Sequence, residues 1–394
     1  EKIEYGYDAF GRMNAVTTSQ GTTRYGFDKY NRLISVTNHA GNKTSYTYDS
    51  VGNKASQINP DGSVTTYTYD ACKRLTKEVA RDKGGNLLAT YEYAFNGNGQ
   101  KVETRESVKS AAQGMVATIT TYEYDKANRL IKEESSIARE DGNKDAFAVE
   151  YSYDDAGNRT KKVEDGVETE YTYNELNQLQ SETTEGKETI SYAYDTNGNL
   201  LCRGTTTEYE TYTYTKANQL ESVTSTTKTG ETKEVYTYDA EGNRLSKTES
   251  KEVKEVDEST GEVTTTWEET NKTYYVMDTS GSYSQVIAEL DKDKEVKVLY
   301  TRGDGIISRE EKSETGESSY NFYLSDGHGD VRQLTDEAGK VTDSYRYNSH
   351  AELKENQGET DNLYLYTGEY FDEGTGLYYL RARYLSPETG TFTS

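Results

Sequence analysis

The stretch DGHGD sets Asp326, His328 and Asp330 at alternate positions, which in a strand would present three metal-ligand types on one side. Its two glycines favour a turn instead, so no metal ligand is assigned there. DGNKD, from Asp141 to Asp145, opens like a calcium loop, but Ala146 stands where the glycine belongs and Ser152 where the bidentate glutamate belongs. The three histidines, His39, His328 and His350, have no spacing to a serine or cysteine that would suggest a nucleophile with its base. Cys72 and Cys202 sit at different places relative to the tyrosines around them, so they are read as separate buried or half-buried thiols rather than a disulfide. No catalytic, cofactor-binding or metal residue emerges, and the chain is read as a non-enzyme that needs no cofactor.

What recurs is tyrosine. The order Tyr-x-Tyr-Asp is found at Tyr5/Tyr7/Asp8, Tyr46/Tyr48/Asp49, Tyr67/Tyr69/Asp70, Tyr122/Tyr124/Asp125, Tyr151/Tyr153/Asp154, Tyr192/Tyr194/Asp195 and Tyr236/Tyr238/Asp239, with Phe27 replacing the second tyrosine in Tyr25/Phe27/Asp28. Degenerate copies place Ala94 after Tyr91/Tyr93, Asn174 after Tyr171/Tyr173 and Thr215 after Tyr212/Tyr214, making eleven copies. A fixed period with insertions is the mark of an array whose units stack because none can bury its apolar face alone.

Two tyrosines at i and i+2 share one face of a strand, and the residue between them points to the other. The intervening residues are small or polar, so the tyrosine face is read as the buried one. The aspartate can accept backbone N–H groups two residues on and so turn the chain. Gly11, Gly52, Gly157, Gly198 and Gly242, or Asn31, Asn128, Asn177 and Asn218, then supply the left-handed conformation. Alternating runs such as RLISVT follow, so each repeat predicts two antiparallel strands, and the whole chain about 30. The tyrosine ladder could bind sugars through ring faces, but ring-on-ring packing accounts for it as structure. The expectation is an all-β fold: an antiparallel sheet, curled because open twisted sheets of this width do not stay flat.

The bulk properties agree with a folded array. Only 32% of the 394 residues are hydrophobic, yet 37 are tyrosine, an aromatic content that disordered chains lack. Sixty-nine acidic against 45 basic residues give a formal charge of −24 with no basic stripe, which disfavours a nucleic-acid partner. No apolar run is long enough for a membrane span. No signal peptide is visible, and the sequence reads as a piece of a longer protein.

These residues resemble the YD repeats of Rhs proteins. YTRGDGIISRE (300–310), YLSDGHGDVRQLTDEAGKVTDSYRYNSHAEL (323–353) and YLYTGEYFDEGTGLYYLRARYLSPETGTF (364–392) are similar to the Rhs repeat-associated core. The core-motif positions are Gly368, Tyr370, Asp372, Gly376, Tyr378, Arg381, Arg383 and Tyr384. The resemblance implies a spiralling β-sheet shell, with repeats over 1–250, an acidic Thr-rich hairpin over 251–273 and the core over 274–394. Such shells enclose a C-terminal toxin in bacterial polymorphic toxins and in insecticidal toxin complexes, while a similar shell in teneurins supports adhesion. The expected role is therefore a non-catalytic shell segment that encapsulates and helps deliver a toxin domain absent here. The alternative is an extracellular module binding glycan or a partner cell surface. Expected partners are the toxin domain or other segments of the parent chain, or a glycan or receptor; the expected location is secreted or on a bacterial surface. The family core ordinarily continues into an aspartate-bearing self-cleavage segment. Here the sequence ends at Ser394, and after Arg383 the only carboxylate is Glu388, in a turn-like Ser-Pro-Glu-Thr-Gly. No cleavage role is therefore carried onto this chain, and Arg381 and Arg383 are expected to lie against Tyr378, Tyr379 and Tyr384.

Overall fold

The computed structural model describes residues 2–256, 262–313 and 315–393. Among the described residues, thirty antiparallel strands form one sheet and four more a second. Among the described residues the only helical element is a 3-10 turn, Tyr366–Gly368. Each of the eleven Tyr-x-Tyr copies lies at or near the end of a strand, from Glu4–Tyr7 to Gly230–Tyr238, and the strand after it returns antiparallel.

The turn chemistry explains why the strands end where they do. In the first repeat Asp8 Oδ1 accepts the backbone N–H of Phe10 (2.8 Å) and of Arg12 (3.0 Å), while Oδ2 holds Arg12 Nε at 2.6 Å. Asp28, Asp70 and Asp125 repeat this with Arg32, Arg74 and Arg129. Where the fourth residue on is asparagine, as at Asn53, Asn199 and Asn243, its amide donates to the same oxygen. In the eleven repeats read from the sequence, the left-handed position takes Gly or Asn except at Lys73, with φ 63°.

A β-bulge falls before the second aromatic of most repeats, for example between Thr47 and Tyr48. Such a bulge re-aims the side chain. The second tyrosine then donates to a carbonyl of the preceding repeat: Tyr48 to Leu33 (2.7 Å), Tyr124 to Lys101 (2.9 Å), Tyr173 to Arg159 (2.9 Å) and Tyr238 to Leu220 (2.8 Å). In each case the acceptor is the fifth residue after the turn's leading Asp, Asn or Thr.

That rule corrects one reading of the sequence and extends the repeat pattern. The degenerate copy at Tyr91/Tyr93/Ala94 is shifted by two: Asn96 Oδ1 accepts the N–H groups of Asn98 and Gln100, so the copy is Tyr93/Phe95/Asn96. The repeats also continue into the core region. DGHGD is a repeat turn, with Asp326 accepting from His328 and Asp330, and Tyr347 donates to Val331, five residues after Asp326. Tyr345/Tyr347/Asn348 is a further copy, Asn348 accepting from His350 and Glu352.

The tyrosine faces are the buried ones, though the two members of a pair differ. Tyr46, Tyr151, Tyr171, Tyr212 and Tyr236 are buried, while Thr47, Ser152, Thr172, Thr213 and Thr237 between the pairs are exposed. The second tyrosine is less covered than the sequence pattern implies. Tyr153 is only half-buried, because the bulge between Ser152 and Tyr153 shifts it to face Arg159 at the end of the strand pair. Tyr7 departs further, at 60% exposure. Of the two thiols, only Cys72 differs from expectation. Cys72, at a turn tip, is exposed, Cys202 is half-buried, and both are free.

Two compact units arise. The first comprises residues 1–147, 278–288 and 297–370. Its late strands lie on the tyrosine face of its early repeats: Val36, Tyr46 and Ile307 form one apolar cluster, and Ala80, Leu88, Tyr91 and Val108 meet Leu324 and Val341 in another. Gly303 makes the approach possible, since a Cβ there would come within 2.7 Å of the Tyr46 hydroxyl and 2.9 Å of Val36. Buried polar groups are paired across the layers: Arg332 reaches both oxygens of Glu106 (2.9 and 3.0 Å), and Gln333 Nε2 donates to the carbonyls of Leu88 and Lys109. The second unit comprises 148–277, 289–296 and 371–394. In it the strands Arg244–Val256 and Val263–Asp278 pair as far as Val256 and Val263. The tip of the expected hairpin, 257–261, lies outside the described residues, as does Ser394.

Candidate functional site

The C-terminal stretch folds as short strands: Tyr370–Asp372, Leu377–Tyr379, Tyr384–Ser386 and Thr391–Phe392. Gly376 (φ 68°) closes the first turn, its N–H on the Asp372 carbonyl, and Gly390 closes the last on Ser386. Within the second unit this stretch lies on the tyrosine face of the repeats. The backbone N–H of Leu200 donates to the carbonyl of Thr393 (2.9 Å), Arg159 Nη2 to that of Glu388 (3.0 Å), and the Arg244 backbone N–H to the Tyr379 hydroxyl (3.2 Å). The hydroxyls of Tyr238 and Tyr384 are 3.1 Å apart.

At the centre is Asp372, fully buried at 0% exposure. Its Oδ1 is 2.6 Å from Lys247 Nζ, and its Oδ2 is 3.3 Å from Arg244 Nη1 and 3.1 Å from the Tyr236 hydroxyl. Glu234 completes the cluster, with Oε1 3.2 Å from Lys247 Nζ and Oε2 2.5 Å from the Tyr236 hydroxyl. Lys247 also meets Glu249 at 2.9 Å. Arg244 stacks on Tyr379 at 4.3 Å and on Tyr275 at 4.8 Å.

Two carboxyls and two cations so close must divide their protons unequally. Burial alone would raise Asp372, but Lys247 and then Arg244 outweigh it and hold its carboxyl below the usual range. Burial, reinforced by the Asp372 charge, pushes Glu234 up to about 7. Burial would lower Lys247, yet Asp372, Glu234 and Glu249 together hold its ammonium well above the ordinary range. Below about pH 7 the pair therefore shares one proton, carried by Glu234. The single hydroxyl proton of Tyr236 serves one carboxyl, and a protonated Glu234 supplies the other bond. Removing one member of such a buried cluster leaves the rest incompletely compensated.

The repeat and core-motif positions are gathered here only in part. Of the repeat Tyr236/Tyr238/Asp239, both tyrosines reach the C-terminal stretch, Tyr236 through Asp372 and Tyr238 through Tyr384. Asp239 is taken up by its own turn instead: Oδ1 accepts the Asn243 backbone N–H at 2.8 Å and Oδ2 the Asn243 side-chain amide at 2.7 Å. Its role is to shape the chain just before Arg244. Tyr153, at its bulge beside Arg159, is likewise a position of the sheet and not of the cluster. Gly368 (φ 66°) ends the 3-10 turn, and Tyr370 packs edge-on against Tyr364 at 5.7 Å, both in the first unit. Asp372, Gly376, Tyr378 and Tyr384 belong to the second, Tyr378 packing on Phe371 at 4.9 Å.

The expected stacking is corrected for Arg383, which lies over Phe392 at 3.6 Å. Arg381 takes a left-handed φ of 64° and its charge acts on Tyr379, over which the Arg244 guanidinium also stacks at 4.3 Å. Glu388 lies in an exposed turn as expected, 3.6 Å from Arg203. Glu234, Arg244 and Lys247 were not singled out from sequence. One signal existed: Glu234 precedes Tyr236 by two residues, so period 2 places it on the buried face. At DGHGD, His328 Nδ1 is 3.0 Å from Asp330 Oδ1, which raises the imidazole, and among the described residues no cluster is suited to hold a metal.

The repeat turns and their bulges define a YD-repeat β-protein. The RHS Repeat family matches residues 27–63 and 52–86, so the chain carries RHS repeats and is similar to the Rhs, or YD-repeat, proteins. It is 34% identical over 280 residues to the tRNA3(Ser)-specific nuclease WapA of Bacillus spizizenii, covering 69% of this chain and 10% of that protein. It is 33% identical over 280 residues to the tRNA nuclease WapA of Bacillus subtilis, and 24% identical over 323 residues to the double-stranded DNA deaminase toxin A of Burkholderia cenocepacia. The chain thus spans about a tenth of the length of the Bacillus relatives. A chain of the Tc holotoxin pore of Photorhabdus luminescens shares the fold, with a TM-score of 0.71 over 100% of this chain and 20% of that one, at 16% identity.

Proposed function

We propose that the chain is a wall segment of an Rhs-type shell that encloses and helps deliver a toxin domain of its parent protein, outside the cell or at its surface, without turnover chemistry of its own. In this reading 1–250 forms the repeat wall, 251–273 a hairpin and 274–394 the core. The observation that carries it is the docking of 371–393 on the tyrosine face through buried Asp372, which fixes on the wall the segment leading toward a C-terminal cargo. Two further facts support it: the similar proteins include nucleases and a deaminase named as a toxin, and the fold is shared with a chain of a toxin pore.

A second reading, a module that binds glycan or a partner surface, is favoured by the exposed rings of Phe10 and Tyr30 at neighbouring turn tips. The test is protease protection of a small folded reporter placed after residue 394 in the parent protein. The shell reading expects digestion of the reporter only after the wall is unfolded. Equal digestion with the wall folded and unfolded would favour the surface-binding reading.

A further inference from the structure

The grouping of Lys247, Asp372 and Glu234 holds an amine and a carboxyl in contact, out of water, with a second carboxyl touching the amine. Lys247 Nζ lies 2.6 Å from Asp372 Oδ1 and 3.2 Å from Glu234 Oε1. Asp372 Oδ2 faces two donors, Arg244 Nη1 at 3.3 Å and the Tyr236 hydroxyl at 3.1 Å. Lys247 and Glu234 are buried, Asp372 wholly so, and Tyr236, Tyr379 and Tyr384 close the surroundings. Gly374 completes the geometry, because a Cβ there would collide with Glu234 Oε1. A surface ion pair needs none of this. We propose that Lys247 and Asp372 condense to an intramolecular amide, with Glu234 as proton carrier and Arg244 and Tyr236 as oxyanion donors, so that the C-terminal segment is cross-linked to the repeat wall.

The reaction balances without any co-reactant. Lys247 Nζ first passes one proton to Asp372 Oδ1, turning ammonium and carboxylate into amine and acid, a transfer that burial favours because neither group then carries charge in a dry site. The nitrogen lone pair attacks Asp372 Cγ. The carbonyl electrons move onto Oδ2, where Arg244 and Tyr236 stabilise the oxyanion. Glu234 gives its proton to the departing Oδ1, which leaves as water as the Cγ carbonyl re-forms, and then recovers a proton from the nitrogen. The sum is ammonium plus carboxylate going to amide plus water. Glu249, which favours the ammonium, and Arg244, which favours the carboxylate, both act against the first step, so the amide forms slowly after folding. Contact between the reacting groups offsets this, since well-oriented neighbours react as though at about 10⁵ to 10⁸ M.

The test is intact mass and peptide mapping of the purified full chain, kept folded near neutral pH. The expected result is a mass lower by one water and a protease-derived peptide in which the segments containing Lys247 and Asp372 are joined. That peptide should be absent from Lys247→Arg and Glu234→Gln, both of which retain the size of the group replaced. Full mass after days in a wild-type chain whose tyrosine near-UV signal shows it folded would overturn the proposal. So would a loss of water without the joined peptide, which would indicate succinimide formation elsewhere.

Discussion

Asp372 carries more of the second unit than any neighbouring side chain, because it answers two buried cations at once. Asp372→Ala removes the carboxylate that Lys247 and Arg244 share, leaving Glu234 and Glu249 on Lys247, and should cost about 3–5 kcal/mol in urea unfolding. Glu388→Ala, at a half-exposed pair with Arg203, should change stability by less than about 1 kcal/mol. Protonation separates the two acids of the cluster. Glu234, raised from 4.5 to about 7, binds its proton more tightly folded than unfolded, so its contribution is full below about 4.5 and is lost as pH rises through 7. Asp372, held low, contributes above its ordinary 3.8 and loses that contribution in acid. The unit should therefore lose stability between pH 5 and pH 8, by on the order of 3 kcal/mol at most. Lys247→Arg is the background for the measurement, since the acid pair persists there whatever happens to the amine, and Glu234→Gln within it should flatten the profile. A urea midpoint that climbs from pH 5 to pH 8 would contradict the assignment. At Lys73, whose φ of 63° suits glycine better, Lys73→Gly should stabilise by roughly 0.5–1 kcal/mol.

At the scale of the element, the second tyrosine of a pair, as at Tyr48, Tyr124, Tyr173 and Tyr238, couples one repeat to the one before it. Tyr173→Phe removes the donor to the Arg159 carbonyl and nothing else, and should cost about 1 kcal/mol. Amide exchange should then quicken in the strands Arg159–Glu164 and Val167–Tyr173 while distant repeats keep their protection, as nearest-neighbour coupling requires. Uniform loss of protection would mean the sheet unfolds as one. These elements were legible in the sequence because turn chemistry is local: Asp8, Gly11 and Arg12 are close neighbours, and period 2 put the tyrosines on one face. What period 2 could not show is the bulge, which leaves Tyr153 half-buried while Tyr151 is buried. The Tyr93/Phe95/Asn96 copy was misaligned because Tyr91 also shares that face, and only the turn at Asn96 tells the two frames apart. Tyr345/Tyr347/Asn348 was passed over because asparagine stands for aspartate and Ala351, not glycine, holds the left-handed position at φ 70°.

For the whole molecule, the sequence pattern pointed to the all-β array and its strand number, but not to the cluster around Asp372. Glu234 and Lys247 lie more than a hundred residues from Asp372, and no local rule says which charged residue of an array will meet the returning chain. Asp239 and Arg244 illustrate the difficulty. The aspartate is conspicuous in the repeat yet serves only its turn, whereas Arg244 is in sequence simply the residue after the turn asparagine Asn243, and in the fold is buried against three tyrosines. Residues 371–393 are, on these contacts, part of the packed interior of the second unit, fixed there through Asp372. Native-state hydrogen exchange at Leu377–Tyr379 tests this most directly. These amides should be protected as deeply as those of Gly230–Tyr238 in the wild type, and should exchange at least tenfold faster in Asp372→Ala. Exchange in the wild type at the rate of an unprotected strand, or protection unchanged by the substitution, would contradict it.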